Sequence, residues 1–496
     1  MTLSLFKKTD TPREAPSVWT KGQKFAFRAA FIFVVLWAIP LDYGWYLRWF
    51  ALDYAHLSYQ HFRGTVSTYL PDFFEHLSED GFFGVRSYVN VVFTIFLGIV
   101  GSFIWGFFDR NRDNYNNLYY WALVLARYRV AYGVMAWGYA KVFPLQMPPP
   151  SVGGLYTEYI HYFAKRLYWQ VTGLSTPYEI ILGFAEFIPG VLLLFRRTAV
   201  LGAAGVIAVV GNVYVANIAY DVCEHIPALG FTMLSGFILW YDLPRIWNLV
   251  AEGKDEQLVR YYPVFDRKWK LYLKRAIKYT GNGIFVFLFG IYHIIGWINN
   301  DKYKLPKTPG LPDSEGHYSV KEFKLNGEPV PYSPFDSIRW QDVTFERFSS
   351  ISILLANRPQ YISMQGPNYP RWGEDYDYKW HFHLLGNERR YEGVLRRKNQ
   401  PRKYDAETRD KGINWEFSGI SDRHWYFYKA DTVNHILYLE HKNRRDNDFK
   451  QVLHYDRPDD NTFVLKGVNE FSDSIYVVLK KTPHLTTLEQ ALGRKL

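Results

Sequence analysis

Seven apolar stretches that approach or reach membrane-spanning length lie within the first 300 residues of this 496-residue chain. A spanning helix needs about 20 predominantly apolar residues, and lipid admits such segments only as helices or closed barrels. The sequence therefore predicts an α-helical membrane bundle of about seven spans. The predicted spans are Phe25–Tyr43, Tyr88–Phe108, Tyr119–Val142, Tyr178–Phe195, Thr198–Tyr220, Ile226–Tyr241 and Thr280–Ile298.

The character of the sequence changes near residue 300, where short alternating patterns and many charges replace the apolar runs. We therefore expect separate membrane and soluble domains. The first residues, Met1–Thr20, lack the apolar core of a cleavable signal peptide. The single cysteine, Cys223, excludes an intrachain disulfide. The predicted parts are a cytoplasmic tail (1–23), a transmembrane domain (24–299), a linker (300–317), an extracytoplasmic β domain (318–482) and a tail (483–496).

The net charge of +10 is concentrated in the membrane half of the chain. Residues 305–496 hold 29 lysines and arginines against 27 aspartates and glutamates, a net charge of +2. Nucleic-acid binding would place the excess on the soluble domain, so we expect a lipid bilayer as partner and no nucleic acid. Basic residues flank the spans in the N-terminal tail and in the second, fourth and sixth links. The positive-inside rule then places the N-terminus in the cytoplasm and the β domain outside.

Ionisable and polar residues within the predicted spans are the candidate functional residues, because an unpaired charge at the centre of a bilayer costs about 3 kcal/mol or more. Glu179 and Glu186 lie two helical turns apart and share a face, whereas Arg127 and Arg129 do not. One interpretation is a structural ion pair between Glu186 and either arginine. The others are a ligand, quinone or proton site, or charges at the water interface. The candidates for a ligand or quinone pocket are Arg127, Arg129, Lys141, Glu179, Glu186, Asn212 and Asp221.

Two of these runs resemble DoxX-like membrane proteins, which are small four-helix proteins. The run from Arg129 through Gly133 to Lys141 and Pro144 resembles the first helix of that family. The run of residues 179–199, with its basic turn at Arg196, resembles the second helix. The segment 212–242 would supply the third and fourth helices. The resemblance implies a DoxX-like four-helix core over residues 118–250.

The resemblance also implies a function at a bacterial inner membrane. The family is linked to quinone-coupled thiosulfate oxidation and to membrane oxidoreductase complexes, which implies a quinone as cofactor. The sequence shows no cysteine pair, haem-type histidine pair or dinucleotide-binding glycine motif. We therefore expect an accessory subunit of a quinone-linked membrane oxidoreductase. Alternatives are a non-enzymatic envelope protein whose β domain binds a lipid or a protein, and a transporter or proton pathway hinted at by Asn212, Asn217, Asp221 and Glu224.

The soluble domain contains about eleven short strand candidates at regular spacing, which is typical of an antiparallel barrel or sandwich. Asn326-Gly327 and Gly386-Asn387 are hairpin signals. The final stretch, Thr462–Lys480, resembles the last two strands of a lipocalin-like barrel. That likeness implies an apolar ligand, and a filled barrel serving as a docking module is the alternative. His381 and His383 share a strand face, but no acidic or thiol ligand stands beside them, so we predict no metal site.

Overall fold

The protein is described here by a computed structural model. It describes residues 18–41, 43–51, 88–222, 224–255, 267–299, 306–356, 423–442, 450–469 and 471–483, and isolated positions at 57, 59, 63, 66, 67, 69–71, 73, 74, 261, 263, 410 and 490. The chain divides into two compact units. The first contains residues 1–142, 182–295 and 362–399, and the second contains residues 143–181, 296–361 and 400–496.

Helices form at the positions of all seven predicted spans. The helices of the described residues are α1 (Lys21–Ala38), α2 (Tyr43–Ala51), α3 (Tyr88–Phe108), α4 (Asn116–Val142), α5 (Val152–Leu155), α6 (Ala164–Gly173), α7 (Thr176–Leu194), α8 (Ala199–Ala219), α9 (His225–Trp240), α10 (Leu243–Val250), α11 (Lys268–Gly283) and α12 (Phe289–Ile298). A 3₁₀ turn at Tyr159–His161 precedes α6, and a π-helical turn at Ile284–Leu288 joins α11 to α12.

Four helices of the described residues are long and apolar enough to cross a membrane: α3, α7, α8 and the continuous stretch Lys268–Ile298. The pair α9 and α10 is bent by 72° and makes a fifth candidate if it is counted as one span. The helices at the first and third predicted positions, α1 and α4, do not qualify, and each carries three charged residues. The structure thus supports four or five spanning helices, and the predicted number of seven is not established.

Small residues bring the helices of the first unit close together. A Cβ atom at Gly202 would lie 2.8 Å from the carbonyl oxygen of Pro189 on α7. A Cβ atom at Gly98 on α3 would lie 2.8 Å from the carbonyl oxygen of Ala29 on α1. Such contacts with backbone atoms leave no room for a larger residue, and small interface residues are how membrane helices pack closely.

The second unit contains a closed antiparallel β-barrel of eight strands, which resolves the predicted alternative between barrel and sandwich. The strands are β1 (Gly316–Leu325), β2 (Glu328–Pro329), β3 (Asp342–Phe345), β4 (Ser350–Leu354), β5 (His424–Asp431), β6 (Ile436–His441), β7 (Lys450–Asp459), β8 (Thr462–Val468) and β9 (Ser474–Lys481). The sheet order is β2-β1-β3-β4-β5-β6-β7-β8-β9, and pairing of β1 with β9 closes the barrel. The closed ring therefore consists of eight of these nine strands, since the two-residue β2 pairs with β1 alone and lies outside the ring.

Alternate residues of the strands point inward and fill the described barrel interior. The rings of Phe345 and Phe463 stack with centroids 5.2 Å apart, and Tyr318 meets both rings edge-on. Leucine, isoleucine and valine side chains from β4, β6, β7, β8 and β9 complete this core. An eight-stranded barrel is just wide enough for side chains to fill it. Burial of these aromatic and aliphatic side chains therefore stabilises the unit.

The predicted Asn326-Gly327 hairpin is confirmed. Asn326 and Gly327 have φ angles of 51° and 88°, and β1 pairs with β2 across them. Two consecutive positive φ angles are typical of a type I′ turn, which Asn-Gly adopts at low cost. The predicted strands at 360–365, 379–385, 389–396 and 414–418, the Gly386-Asn387 turn, His381, His383 and Cys223 lie outside the described residues.

Candidate functional site

A buried ion pair joins α4 to α7 in the first unit. Lys141 Nζ donates to Glu186 Oε1 at 2.9 Å and to Oε2 at 2.8 Å. The two residues are 6% and 5% exposed, so their charges are removed from solvent. A buried pair of this kind is satisfied by its own hydrogen bonds, while removing one partner leaves an uncompensated charge.

Close packing of two antiparallel helices explains why Glu186 meets Lys141. A Cβ atom at Gly183 would lie 2.5 Å from the backbone nitrogen of Val142, and one at Gly138 would lie 2.9 Å from that of Phe187. These glycines place Glu186 at the level of the C-terminal end of α4. The interpretation that Glu186 pairs with an arginine of α4 is wrong, because both arginines lie three or more turns nearer the start of that helix.

Arg127 and Arg129 bind backbone carbonyl groups, two of which lie at the ends of helices α7 and α1. Arg127 donates from Nε and Nη2 to the carbonyl oxygen of Leu193, in the last turn of α7, at 2.9 and 2.8 Å. Arg129 donates to the carbonyl oxygens of Trp37, Val66 and Tyr69 at 3.3, 2.7 and 2.8 Å. The last carbonyls of a helix have no partner within it, so both guanidinium groups supply hydrogen bonds that the bundle would otherwise lack.

The remaining predicted pocket residues have other described contacts or positions. Glu179 is 1% exposed and belongs to the second unit, where it accepts hydrogen bonds from the backbone nitrogens of Gln146 and Met147 at 3.2 and 2.9 Å. Asn212 is exposed on α8. Asp221 is half-buried in the turn after α8, with a φ angle of 54°. Of the seven candidates, the structure therefore brings Lys141 and Glu186 into direct contact.

The structure instead contains a pocket at the N-terminal end of α4, with a volume of about 80 Å³. Arg127 is the only predicted candidate that lines it. The lining residues come from α4, α8, α9 and the segments around them: Trp19, Asn116, Tyr119, Tyr120, Leu123, Val124, Arg127, Arg196, Ala199, Val200, Ile238, Tyr241, Asp242 and Tyr261. The aromatic cluster at 119–121 and the basic turn at 196–197 were visible in the sequence, but nothing there indicated that they meet.

A second set of buried polar residues lies on the outer face of strands β3 and β4, and sequence reasoning missed it. Glu346 accepts hydrogen bonds from the backbone nitrogens of Val152 and Gly153 at 3.0 and 2.8 Å. Burial raises the pKa of Glu346 to about 7 even though these N–H groups favour its charged form. Beside it, burial opposes ionisation of Asp342, but the nearby Arg423 lowers the pKa of that carboxyl below its ordinary value. These contacts fasten residues 151–155 to the barrel.

Lys442 is a second buried cation of the barrel unit. Its Nζ atom is buried and has no hydrogen-bond partner among the described residues. Burial lowers its pKa to about 8, and attraction to Asp410 and Glu346 opposes that shift. Within the described part of the chain, no group of three or more histidine, cysteine, aspartate or glutamate side chains is placed to hold a metal ion.

Together, the two units define a class of protein: helices able to cross a membrane, joined in one chain to a closed eight-stranded antiparallel barrel. No family model matches the chain, and no solved structure matches it. The chain is similar to the Uncharacterized protein YwoB of Bacillus subtilis (strain 168), with 29% identity over 84 residues. That match covers 17% of this chain and 54% of YwoB, so the chain spans about half the length of the curated relative that it matches.

Proposed function

We propose that this chain is a multi-pass, non-enzymatic envelope protein that anchors its β-barrel at a membrane, where the barrel binds a protein partner. The observation that carries this proposal is the direct contact between the buried side chains of Lys141 and Glu186. Charges that are satisfied by each other or by carbonyl groups at helix ends can be structural and need no part in chemistry. In this account the N-terminus lies in the cytoplasm and the barrel outside it, as the positive-inside rule predicts for an odd number of spans.

The filled barrel favours a protein partner over a lipid. Because aromatic and aliphatic side chains occupy the described interior, a lipid of the kind that lipocalin-like barrels hold has no described space to enter. The outer face offers an apolar row instead. Tyr438 pairs with Val452, and Val452 pairs with Val468, across three neighbouring strands. These side chains are 43–47% exposed.

Polar neighbours rim this row. Glu440 and Lys450 pair on one side of it, and His454 pairs with Lys466 on the other. An apolar patch with a polar rim is characteristic of protein interaction sites. The row is small, which fits a weak or transient partner rather than a permanent one.

Site-specific photo-cross-linking in intact cells tests this function. A photoreactive residue at Val452 or at Tyr438 should give an adduct of the same mass, whereas one at Glu328, an exposed residue on β2 away from this row, should not. The substitution Val468→Glu should abolish both adducts while the protein remains folded, because the side chain is on the surface. Adducts that are insensitive to Val468→Glu, or equally strong at Glu328, would contradict the proposal.

A second candidate is the accessory subunit of a quinone-linked oxidoreductase that the DoxX-like resemblance implies. The aromatic lining of the pocket beside Arg127 supports it, since Tyr119 and Tyr120 are among the residues that line the pocket. Extraction of the protein with its native lipids provides the test. Quinone that copurifies in about equimolar amount, and is lost in Tyr119→Ala, would support this candidate. Protein without quinone would count against it.

A further inference from the structure

The short helix α10 leaves the end of α9 at a sharp angle of 72°. Pro244, in the first turn of α10, explains the break, because its ring has no N–H group for the carbonyl oxygen of Trp240 and would clash with it in a continuous helix. Asp242 Oδ1 lies 3.3 Å from Arg245 Nη1, and Arg245 Cζ lies 4.6 Å from the ring centroid of Tyr241. The bend is therefore specified by the sequence and supported by local contacts.

The bend lies at the level where α8 begins. Ala199 and Val200 of α8 line the same pocket as Ile238 and Tyr241 at the end of α9. Because α8 is long and apolar enough to cross a membrane, its first turn lies near one boundary of the bilayer in the proposed membrane anchor. α9 packs along α8, so a helix that leaves α9 by 72° at this level runs along the membrane surface.

The exposed face of α10 is apolar. Leu243, Trp247 and Val250 are four and three residues apart, so they share one face of the helix. Their side chains are 47%, 65% and 77% exposed. Trp240, at the end of α9, is exposed as well. Tryptophan and aliphatic side chains on one face are characteristic of a helix that lies in the interface between lipid and water.

Two observations favour a lipid surface as the occupant of this face. Residues 251–255, directly after α10, are all exposed and include Glu252, Lys254 and Asp255, so the chain becomes polar where the apolar face ends. In addition, α10 is continuous with the helical unit through α9, so a bilayer that surrounds the spanning helices also reaches its exposed face. A boundary with hydrocarbon on one side and water on the other fits both observations.

We propose that α10 is an interfacial helix that inserts its apolar face, formed by Leu243, Trp247 and Val250, into the membrane surface. This inference rests on the proposed membrane anchor and adds to it how α9 ends. α10 does not continue the span; it holds the end of α9 at the level of the lipid headgroups. The contact is apolar, so a zwitterionic lipid surface is sufficient for it.

Electron paramagnetic resonance of spin-labelled full-length protein in phosphatidylcholine vesicles tests this assignment. L243C, W247C and V250C are made separately in a Cys223→Ser background and labelled. Collisions with oxygen, relative to those with a water-soluble nickel chelate, report the depth of each label. We expect all three labels to lie about 5–10 Å into the boundary between headgroups and acyl chains. With α9 upright, their depths should differ by about 3 Å from Leu243 to Val250, against about 10 Å for a straight continuation of the span.

Two control labels separate this inference from the membrane anchor on which it rests. K254C, just beyond α10, should be reached by the nickel chelate. A208C, exposed at the middle of α8, should lie deeper in the lipid than any label on α10. If the A208C label is reached by the chelate, the membrane anchor and this inference fail together. If only the α10 labels depart from expectation, the anchor stands and this inference alone is overturned.

Three results at the α10 labels would overturn the assignment. A depth change of about 10 Å from Leu243 to Val250 would show that α10 continues the span. Chelate collisions as frequent as at K254C would place the face in water. Immobile labels that neither reagent reaches would show that protein covers the face. If one labelled variant does not fold, the other two positions report on the same face.

Discussion

The backbone nitrogen of Gly153 donates a 2.8 Å hydrogen bond to Glu346 and thereby joins residues 193 positions apart within the barrel unit. Gly153 can approach this closely because it has no side chain. A Cβ atom there would lie 2.8 Å from Ser352 Oγ and 2.9 Å from the ring of Trp425. The contact holds α5 against the outer face of the barrel, and it makes Glu346 a buried carboxyl at a structural junction.

Glu346 should make the stability of the barrel unit depend on pH. Its pKa is about 7 in the folded protein against an ordinary value of 4.5, so the folded state holds the proton more tightly. This tighter proton binding stabilises the folded state fully below pH 4.5, and the stabilisation is lost as the pH rises through 7. We expect the thermal unfolding midpoint to fall between pH 4.5 and 7, and E346Q to flatten that change. E328Q, at an exposed glutamate, is the control. An E346Q protein whose unfolding midpoint changes with pH as much as that of the unaltered protein would refute the attribution of this change to Glu346.

Replacing Lys442 with methionine should stabilise the barrel. Its buried ammonium lacks a hydrogen-bond partner among the described residues, and such a group costs about 1–3 kcal/mol. Urea unfolding at pH 7 should therefore show K442M to be more stable by about that amount, with no gain in K480M at an exposed lysine. Because its folded pKa is depressed to about 8, the unaltered protein should gain stability between pH 8 and 10.5, and K442M should not.

Gly183 should not tolerate alanine. The added Cβ atom would lie 2.5 Å from the backbone nitrogen of Val142, and backbone cannot move aside as a flexible side chain can. We expect Gly183→Ala to lower the unfolding free energy of the helical unit by about 1–3 kcal/mol. Gly236→Ala, where no atom lies within 4 Å of the new Cβ, should be neutral or stabilising. Equal midpoints for the two variants in detergent would contradict the packing of α4 on α7.

The proposed topology predicts which residues a membrane-impermeant thiol reagent reaches. In a Cys223→Ser background, Val433→Cys on the exposed β5–β6 turn should be labelled in intact cells. Val18→Cys, just before α1, should react only after the membrane is permeabilised. Labelling of both positions from the same side would require an even number of spans.

Local patterns in the sequence predicted the elements of this fold well. Apolar runs located the helices, the alternation of side chains located the described strands, and Asn326-Gly327 located the first hairpin. Each of these signals depends on neighbouring residues alone. The number of spans was less certain, because Arg127, Arg129 and Lys141 reduce the hydropathy of α4 without preventing a helix.

The partners of the charged residues could not be predicted from the same patterns. Whether Glu186 meets Lys141 or Arg127 depends on how far α7 slides along α4, and Gly138 and Gly183 fix that position through contacts visible only in three dimensions. The same limit applies to Glu346, since nothing near it in the sequence indicates that Gly153 will reach it. Local sequence specifies local structure, whereas the sites arise from the packing of distant segments.

Replacement of the Lys141–Glu186 pair tests the central claim, that the charges of the bundle are structural, most directly. Single variants K141M and E186Q should each lose about 3–5 kcal/mol of stability, because each leaves one buried charge or polar group uncompensated. The double variant K141M/E186M should unfold within about 1 kcal/mol of the unaltered protein or above it. It should also retain the photo-cross-link at Val452. A double variant that folds normally but loses that cross-link would show that the ion pair serves the function itself, and would contradict this account.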